Sequence, residues 1–385
     1  MAITMEKLYK NGTLPYKMKL LGGFNGLSNL VQWVHILEDD DATKFLHGNE
    51  LVFTAGILNK EGDWLLNYAK RLHARGISAF VVNIGPYIKE VPSDVIDYCD
   101  EVAMPIFTIP WETRMVDVTR DFCHRIMQNE QEEDSIAVLI QNLIFHYGDS
   151  NVHMQQLERF GYRKDQEFAV LAIEVDCLHQ EQHQQKMDQT KVYAEKIIRG
   201  IHENFATFFY ESSYIVVLAG FTKEEVEEIV VQLHTFNHRV SDWKVFIGIS
   251  ENKMGSNHLN TCFEQALASL RLSVRKDTTA TFYADLGFYK VLLGTSDKTV
   301  LRDFYREILG KLVKYDRENQ TNLLDFLHVY MECGGHAKEV SERLYIHRNT
   351  VSYQLKKIEK ITGLNPARVQ DQVKISVCFL IQDII

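Results

Sequence analysis

The chain has 385 residues, 45% of them apolar and 11% aromatic, with only six prolines, a composition that supports several packed cores and excludes a largely disordered protein. Its formal charge of −10 speaks against a uniformly basic, phosphate-binding surface, but the charge is uneven. Residues 336–385 hold eight Lys and Arg against five Asp and Glu, a net +3, which leaves −13 on the other 335 residues.

At roughly 100 to 200 residues per domain the length predicts two to four domains. Residues 1–11 lack the apolar run and cleavage site of a secretory signal, and no stretch nears the ~18 consecutive apolar residues of a membrane span, so a cytoplasmic protein with no membrane partner is expected. Residues 51–111 alternate strand-like and helix-like segments: LVFTAGI, the amphipathic WLLNYAKRLHARG, ISAFVVNIG, PSDVIDYCDEVA and PIFTIPW. That order predicts an α/β unit with a largely parallel sheet. A helical stretch follows over 113–147, its apolar stripe (Val118, Phe122, Ile126, then Ile136, Ile140, Leu143) interrupted by the polar run QNEQEEDS at 128–135. Such a stretch serves as a connector or dimer seam, or forms two helices packed on their own domain.

Next, EFAVLAIEV (167–175) reads as a strand, 192–205 as a helix, and 206–220 as an apolar hairpin turning at Glu211-Ser212-Ser213. A helix at 223–236, a strand at 243–249 and a helix at 259–274 complete a separate α+β domain. Beyond about residue 291 the pattern is almost wholly helical. The strongest local signal lies there, in AKEVSERLYIHRNTVSYQLKKIEKITG (337–363). Val340, Leu344 and Ile346, then Val351, Leu355 and Ile358, are spaced for burial by two short helices crossing at a tight turn, and Ser341 is small enough to let them approach. This is the steric logic of a helix-turn-helix over 337–360, whose second helix enters the major groove. A second helix starting near His347 presents His347, Arg348, Asn349, Thr350, Ser352, Tyr353, Lys356 and Lys357 as hydrogen-bond donors and phosphate partners. A merely solvated amphipathic helix would show the same polarity.

LYIHRNTVSYQLKKIEKITGL closely resembles the C-terminal helix-turn-helix of the PucR family of bacterial regulators, with His347, Arg348, Asn349, Thr350, Val351, Tyr353 and Leu355 matching the hallmark. Ser341 replaces a usual Ala, and Gln354 a common Arg, which removes one possible phosphate contact. Upstream, WVHILEDDDATKFLHGNELVFTAG (33–56) is similar to the family's sensory domain, though Asn49 intervenes between Gly48 and Glu50 and Phe53 replaces Leu. The middle domain resembles the degenerate cyclase-type domain of such regulators. Where active diguanylate cyclases carry a Gly-Gly-Asp/Glu-Glu-Phe turn, this chain has Tyr210-Glu211-Ser212-Ser213-Tyr214, without the glycines that admit a triphosphate or the paired acids that hold Mg2+.

Other constellations carry little chemistry. Cys177, His179 and His183 have metal-like spacing in a polar segment without an obvious fourth ligand, and a polar loop is the plainer reading. Cys123 and His124 are adjacent, so on a helix they point about 100° apart and do not pair as nucleophile and base. The six cysteines form no CxxC pair and are expected to be buried thiols. No catalytic residue, metal or cofactor is expected. Trp33, His35, Glu50 and Thr54 are the candidate effector-binding residues; His35 and Glu50 could equally brace the turn before LVFTAG.

The expected fold is α/β and α+β multidomain. A sensor over 1–112, a helical connector over 113–160 and a GGDEF-like α+β domain over 161–290 precede an all-α DNA-binding domain over 291–385. The resemblance implies a non-enzymatic, sequence-specific DNA-binding transcription regulator, an activator that answers to a small metabolite and controls purine or other nitrogen catabolism. Its expected partners are a double-stranded operator, a small-molecule effector, RNA polymerase and a second copy of itself. Two alternatives stand beside it: a metabolite-binding protein whose terminal helix pair is structural, and a nucleotide-handling enzyme using the middle domain.

Overall fold

The computed structural model describes residues 3–58, 63–177, 180–239, 243–295 and 297–384. In chain order the elements begin with β1 Ile3–Thr4, α1 Met5–Tyr16, β2 Lys19–Gly22, β3 Leu30–Val31, β4 Trp33–Ile36, β5 Glu50–Thr54, α2 Trp64–Ala74, β6 Ala79–Ile84, α3 Ser93–Glu101, β7 Ile106–Pro110 and α4 Met115–Ile144. The middle region adds α5 Ser150–Glu158, β8 Glu167–Cys177, α6 His183–Arg199, β9 Phe205–Tyr210, β10 Ser213–Ala219, α7 Lys223–Arg239, β11 Trp243–Ile249, β12 Lys253–Met254, α8 Leu259–Arg275 and β13 Ala280–Phe282. The rest is helical: α9 Tyr289–Leu293, α10 Lys298–Asn319, α11 Leu323–Glu332, α12 Ala337–Arg343, α13 Arg348–Thr362 and α14 Val369–Gln382. The residues divide into two compact units, Met1–Ala169 with Cys177–Trp243 and Asn252–Asn260, and Val170–Asp176 with Lys244–Glu251 and Thr261–Ile385.

The first unit is built on a five-stranded sheet of order β2-β7-β6-β5-β4. β4 to β7 run parallel and β2 is antiparallel to β7, so the sheet is largely parallel as the alternating segments predict. Strand side chains alternate between faces. Val52, Phe80, Val82 and Ile106 therefore join Leu65, Tyr68 and Leu72 of α2 and Val95 and Cys99 of α3 in one core. Leu51, Phe53, Val81 and Phe107 join Met5 and Leu8 of α1 and Val118, Phe122 and Ile126 of α4 in the other. The helix α4 continues unbroken through 128–135, with Asn129 buried within the polar run. A single helix thus stands where the polar interruption left two open.

Elsewhere in this unit α6 spans His183–Arg199, and Phe205 already opens β9, so the helix expected over 192–205 is displaced towards the N-terminus. The hairpin is present, with Ser213 paired to Tyr210. Its turn is Glu211 and Ser212 alone, Glu211 at φ +51°.

In the second unit β11 pairs parallel with β13, and α8 lies so close to β11 that a Cβ on Gly248 would meet the Ala266 carbonyl oxygen at 2.1 Å. Only glycine admits that approach. The helices α10 to α14 enclose a core of Leu309, Leu312, Leu327, Val340, Val351, Ile358, Ile375 and Cys378. Burial pushes the thiols of Cys378 here and Cys99 in the first unit up to about 12. None of the six cysteines is in a disulfide, and Cys123 and Cys177 are only half-buried. Among the described residues no group of His, Cys, Asp and Glu is placed to hold a metal, and His179 lies outside them. No described helix is long and apolar enough to cross a membrane.

Candidate nucleic-acid interface

Gly334 and Gly335, at φ +60° and +81°, turn the chain from α11 into α12. An ion pair between the guanidinium of Arg343 and Glu332 Oε2, 2.7 Å, ties the two helices together. Leu344 caps the C-terminal end of α12, and Tyr345 follows in the left-handed region at φ +54°, 96% exposed. His347 then caps α13: its backbone is extended and its Nδ1 accepts the backbone N–H of Asn349 at 3.2 Å. An imidazole nitrogen accepts only when it carries no proton, which fixes the tautomer in this arrangement.

The six apolar positions singled out from the sequence all enter the helical core. Val340, Val351 and Ile358 are buried, and Leu344, Ile346 and Leu355 are partly buried against them. With that side of α13 fixed, His347, Arg348, Asn349, Thr350, Ser352, Tyr353 and Lys356 are left exposed on the other. Lys357 is different: it is half-buried, and its Nζ sits 5.0 Å from the ring centroid of Tyr315 on α10, a cation–π contact. The Gln354 side-chain oxygen is buried with no hydrogen-bond partner among the described residues.

At its first turn the charge of α13 runs against the helix dipole, while Lys360 in the last turn runs with it. Its first turn holds Arg348 and no acid, although the N-terminal end of a helix favours negative charge. With the N–H groups of Asn349, Thr350 and Val351 engaged by His347, the Arg348 guanidinium and the neighbouring hydroxyls form a donor-rich end suited to an external anion or to acceptor atoms on base edges.

The four candidate effector residues do not converge. Trp33 and Glu50 are register partners on β4 and β5, while Thr54 ends β5 roughly 13 Å away at about 3.3 Å per residue. Glu50 is buried, its two carboxylate oxygens accepting the backbone N–H groups of His47 (2.7 Å) and Gly48 (2.9 Å). His35 is exposed. Trp33, 64% exposed, borders a small cleft with Cys123, Ile126 and Met127 of α4.

Two residues of this region escape the sequence reading. Glu38 accepts Thr54 Oγ1 (3.0 Å) and the backbone N–H groups of Ala55 (2.7 Å) and Ile57 (3.1 Å), and so shapes the loop after β5. Asn83, buried in β6, has a side-chain oxygen with no hydrogen bond among the described residues. A lone Asn in the apolar run AFVVNI was the available signal for the second, whereas nothing in LEDDD distinguishes Glu38 from its acidic neighbours.

Comparison with known proteins adds three family matches. Residues 7–126 match the purine catabolism regulatory protein-like family (PucR), 148–272 a GGDEF-like domain, and 323–381 the PucR C-terminal helix-turn-helix domain. The chain is 22% identical over 264 residues to the DNA-binding transcriptional activator AdeR of Bacillus subtilis, covering 65% of this chain and 60% of that one. It is 26% identical to the proline-responsive transcriptional activator PutR of the same organism, with 40% of each chain covered. To the Bacillus subtilis purine catabolism regulatory protein it is 34% identical over 36% of this chain and 26% of the other. The matches thus span 60% or less of these relatives' lengths. A solved regulator of polyketide synthase expression from Bifidobacterium adolescentis aligns at 16% identity with a TM-score of 0.33, covering 64% of this chain and 97% of that one.

Proposed function

We propose, for a chain that carries the N-terminal and C-terminal domains of the PucR-type regulators around a GGDEF-like domain, that it is a sequence-specific transcription activator responding to a small metabolite. Its target genes belong to purine or other nitrogen catabolism; a relative 34% identical over 36% of this chain is named for purine catabolism.

The observation that carries this reading is the division of α13 between a buried side, Val351 and Ile358, and an exposed side bearing Arg348, Asn349, Thr350, Ser352, Tyr353 and Lys356. Arg348 at the leading end pairs with a guanine edge through two parallel hydrogen bonds, with Asn349 and Ser352 reading beside it. His347, Thr350 and Tyr353 contact the backbone, and Lys356, about two turns further on, meets a phosphate. Lys357 adds charge from the flank while its stem stays on Tyr315.

The effector acts through the N-terminal domain by shifting the population between two arrangements of paired DNA-binding heads, which changes operator occupancy or contact with RNA polymerase. The middle domain transmits and does not cyclise nucleotides: the exposed turn Glu211-Ser212 supplies one carboxylate where a cyclase needs an acidic pair.

Genomic footprinting with the purified chain tests the reading. Discrete protected sites beside catabolic genes are expected. Uniform, weak binding with no preferred sequence would sink it and favour a metabolite-binding protein whose terminal helices are structural.

A further inference from the structure

Within the second unit, α8, the end of α9, the start of α10 and residues 383–384 border a cavity of about 340 Å³. That is the size of a small-metabolite pocket. Three cations line it: Arg271 on α8, and Lys298 and Arg302 one turn apart at the head of α10. Arg271 and Arg302 have no side-chain hydrogen bond or ion pair among the described residues. Lys298 Nζ donates to the carbonyl of Leu293 at 3.0 Å and, more weakly, to that of Leu292 at 3.5 Å, which holds it in place and leaves a third N–H for an acceptor.

The acids on the wall do not cancel this charge. Asp383 is engaged by the Tyr289 hydroxyl, which leaves Glu264 as the other carboxylate against three cations. The N-terminal end of α10 is already capped by Asp297, whose carboxylate accepts the Thr299 N–H at 2.8 Å, so the positive character of the cavity comes from the three side chains. The rest of the lining is mixed: Ala268, Leu272, Leu293 and Ile384 give it an apolar part, beside the neutral polar Thr261, Gln265 and Tyr283.

We propose that this cavity binds a small organic dianion, two carboxylates on a short apolar body, with one carboxylate on Arg271 and the other on Lys298 and Arg302. Guanidinium groups grip carboxylates through paired hydrogen bonds, and cations carried by two different helices call for two anionic ends. The site is separate from the effector response assigned to the N-terminal domain. It straps α8 to α10, and α10 continues for about 20 Å from Arg302 to Tyr315, the ring that supports Lys357 of the reading helix. Occupancy therefore biases how the head is held.

Isothermal titration of the full chain with glutarate, with the isosteric neutral diamide glutaramide as control, tests this without DNA, so that failure of the operator assignment would leave the result standing. Saturable glutarate binding is expected, with none from glutaramide. Arg271→Gln and Arg302→Gln should each weaken it at least about tenfold. Ala268→Trp, which fills the space without changing charge, should weaken it as well. Arg306→Gln, on the same helix but outside the cavity and already facing Asp303, should leave it unchanged. No saturable glutarate binding, equal binding of the diamide, or unaltered affinity in the two Gln variants would overturn the proposal.

Discussion

Arg348 and Lys356 share one helix yet should fail differently when changed to alanine. Arg348 stands at the leading end, so its loss removes base discrimination, about 1–3 kcal/mol at one base pair. With Lys356 on a phosphate, as proposed, its loss should weaken all sequences alike and make the salt slope shallower by about one unit per half-site. Titrations on matched and mutated operators at several salt concentrations separate the two, and unchanged affinity in both variants would remove α13 from the interface. Lys357→Ala should show itself first in stability, because the Tyr315 contact is worth about 0.5–1 kcal/mol at a partly exposed site. His347 carries a second role, legible only in the structure, as the cap of α13. His347→Ala should cost about 0.5–2 kcal/mol in urea unfolding, and His347→Asn, a good cap, should restore most of it. Equal losses in both variants would mean that the cap contributes nothing.

Elements with a strong period were readable: β5 to β7, α2 and α3, the β9–β10 hairpin and the α12–α13 pair all lie where apolar spacing puts them. The strands β2 and β4 were not, because KLLG and WVHI are only four residues each, too short to show a period, and WVHI is largely exposed. Residues 192–205 misled because the apolar start of β9 continues the pattern of α6 across a short polar break. The candidate DNA-reading side chains share an exposed face because a helix with one buried stripe leaves its other side to water. The candidate effector residues scatter because a strand carries its two ends apart, and proximity in sequence gives no convergence. Glu38 holds the loop they were meant to line, and Glu38→Ala should destabilise the fold by about 1–3 kcal/mol through the N–H groups it leaves unpaired. A change below 0.5 kcal/mol, about the floor for a surface substitution, would deny it that role.

At the head of α7, Thr222 and Glu225 form a reciprocal cap, the Thr222 N–H donating to the carboxylate and the Glu225 N–H to the Thr222 hydroxyl. The backbone N–H of Thr222, with His202 in support, holds the Glu225 carboxyl below its ordinary value. A depressed carboxyl stabilises the fold above that ordinary value and loses the contribution as pH falls through the lowered one. The stability gap between the parent and Glu225→Ala should therefore be full at neutral pH and close on acidification. A gap independent of pH would show that the charge is not what matters.

For the molecule as a whole the charge asymmetry matters most, +3 on residues 336–385 against −13 elsewhere. An acidic body repels DNA at large and leaves contact to the one basic module, which by itself buries little surface. Specific binding then calls for two copies reading half-sites about 34–36 Å apart or at multiples of a turn. Light scattering should report a dimer or a larger even assembly, and monomers both free and on DNA would refute this. Within that module, Val340, Val351 and Ile358 mount the reading helix while other residues of the same helix face outward. Mounting falls to the buried residues and the proposed reading to the exposed ones, so the outward residues are free to change without loosening the core. On the proposed assignment, operator preference can drift along a lineage while the head that carries it stays folded, so copies of this architecture can part company over their targets one exposed side chain at a time.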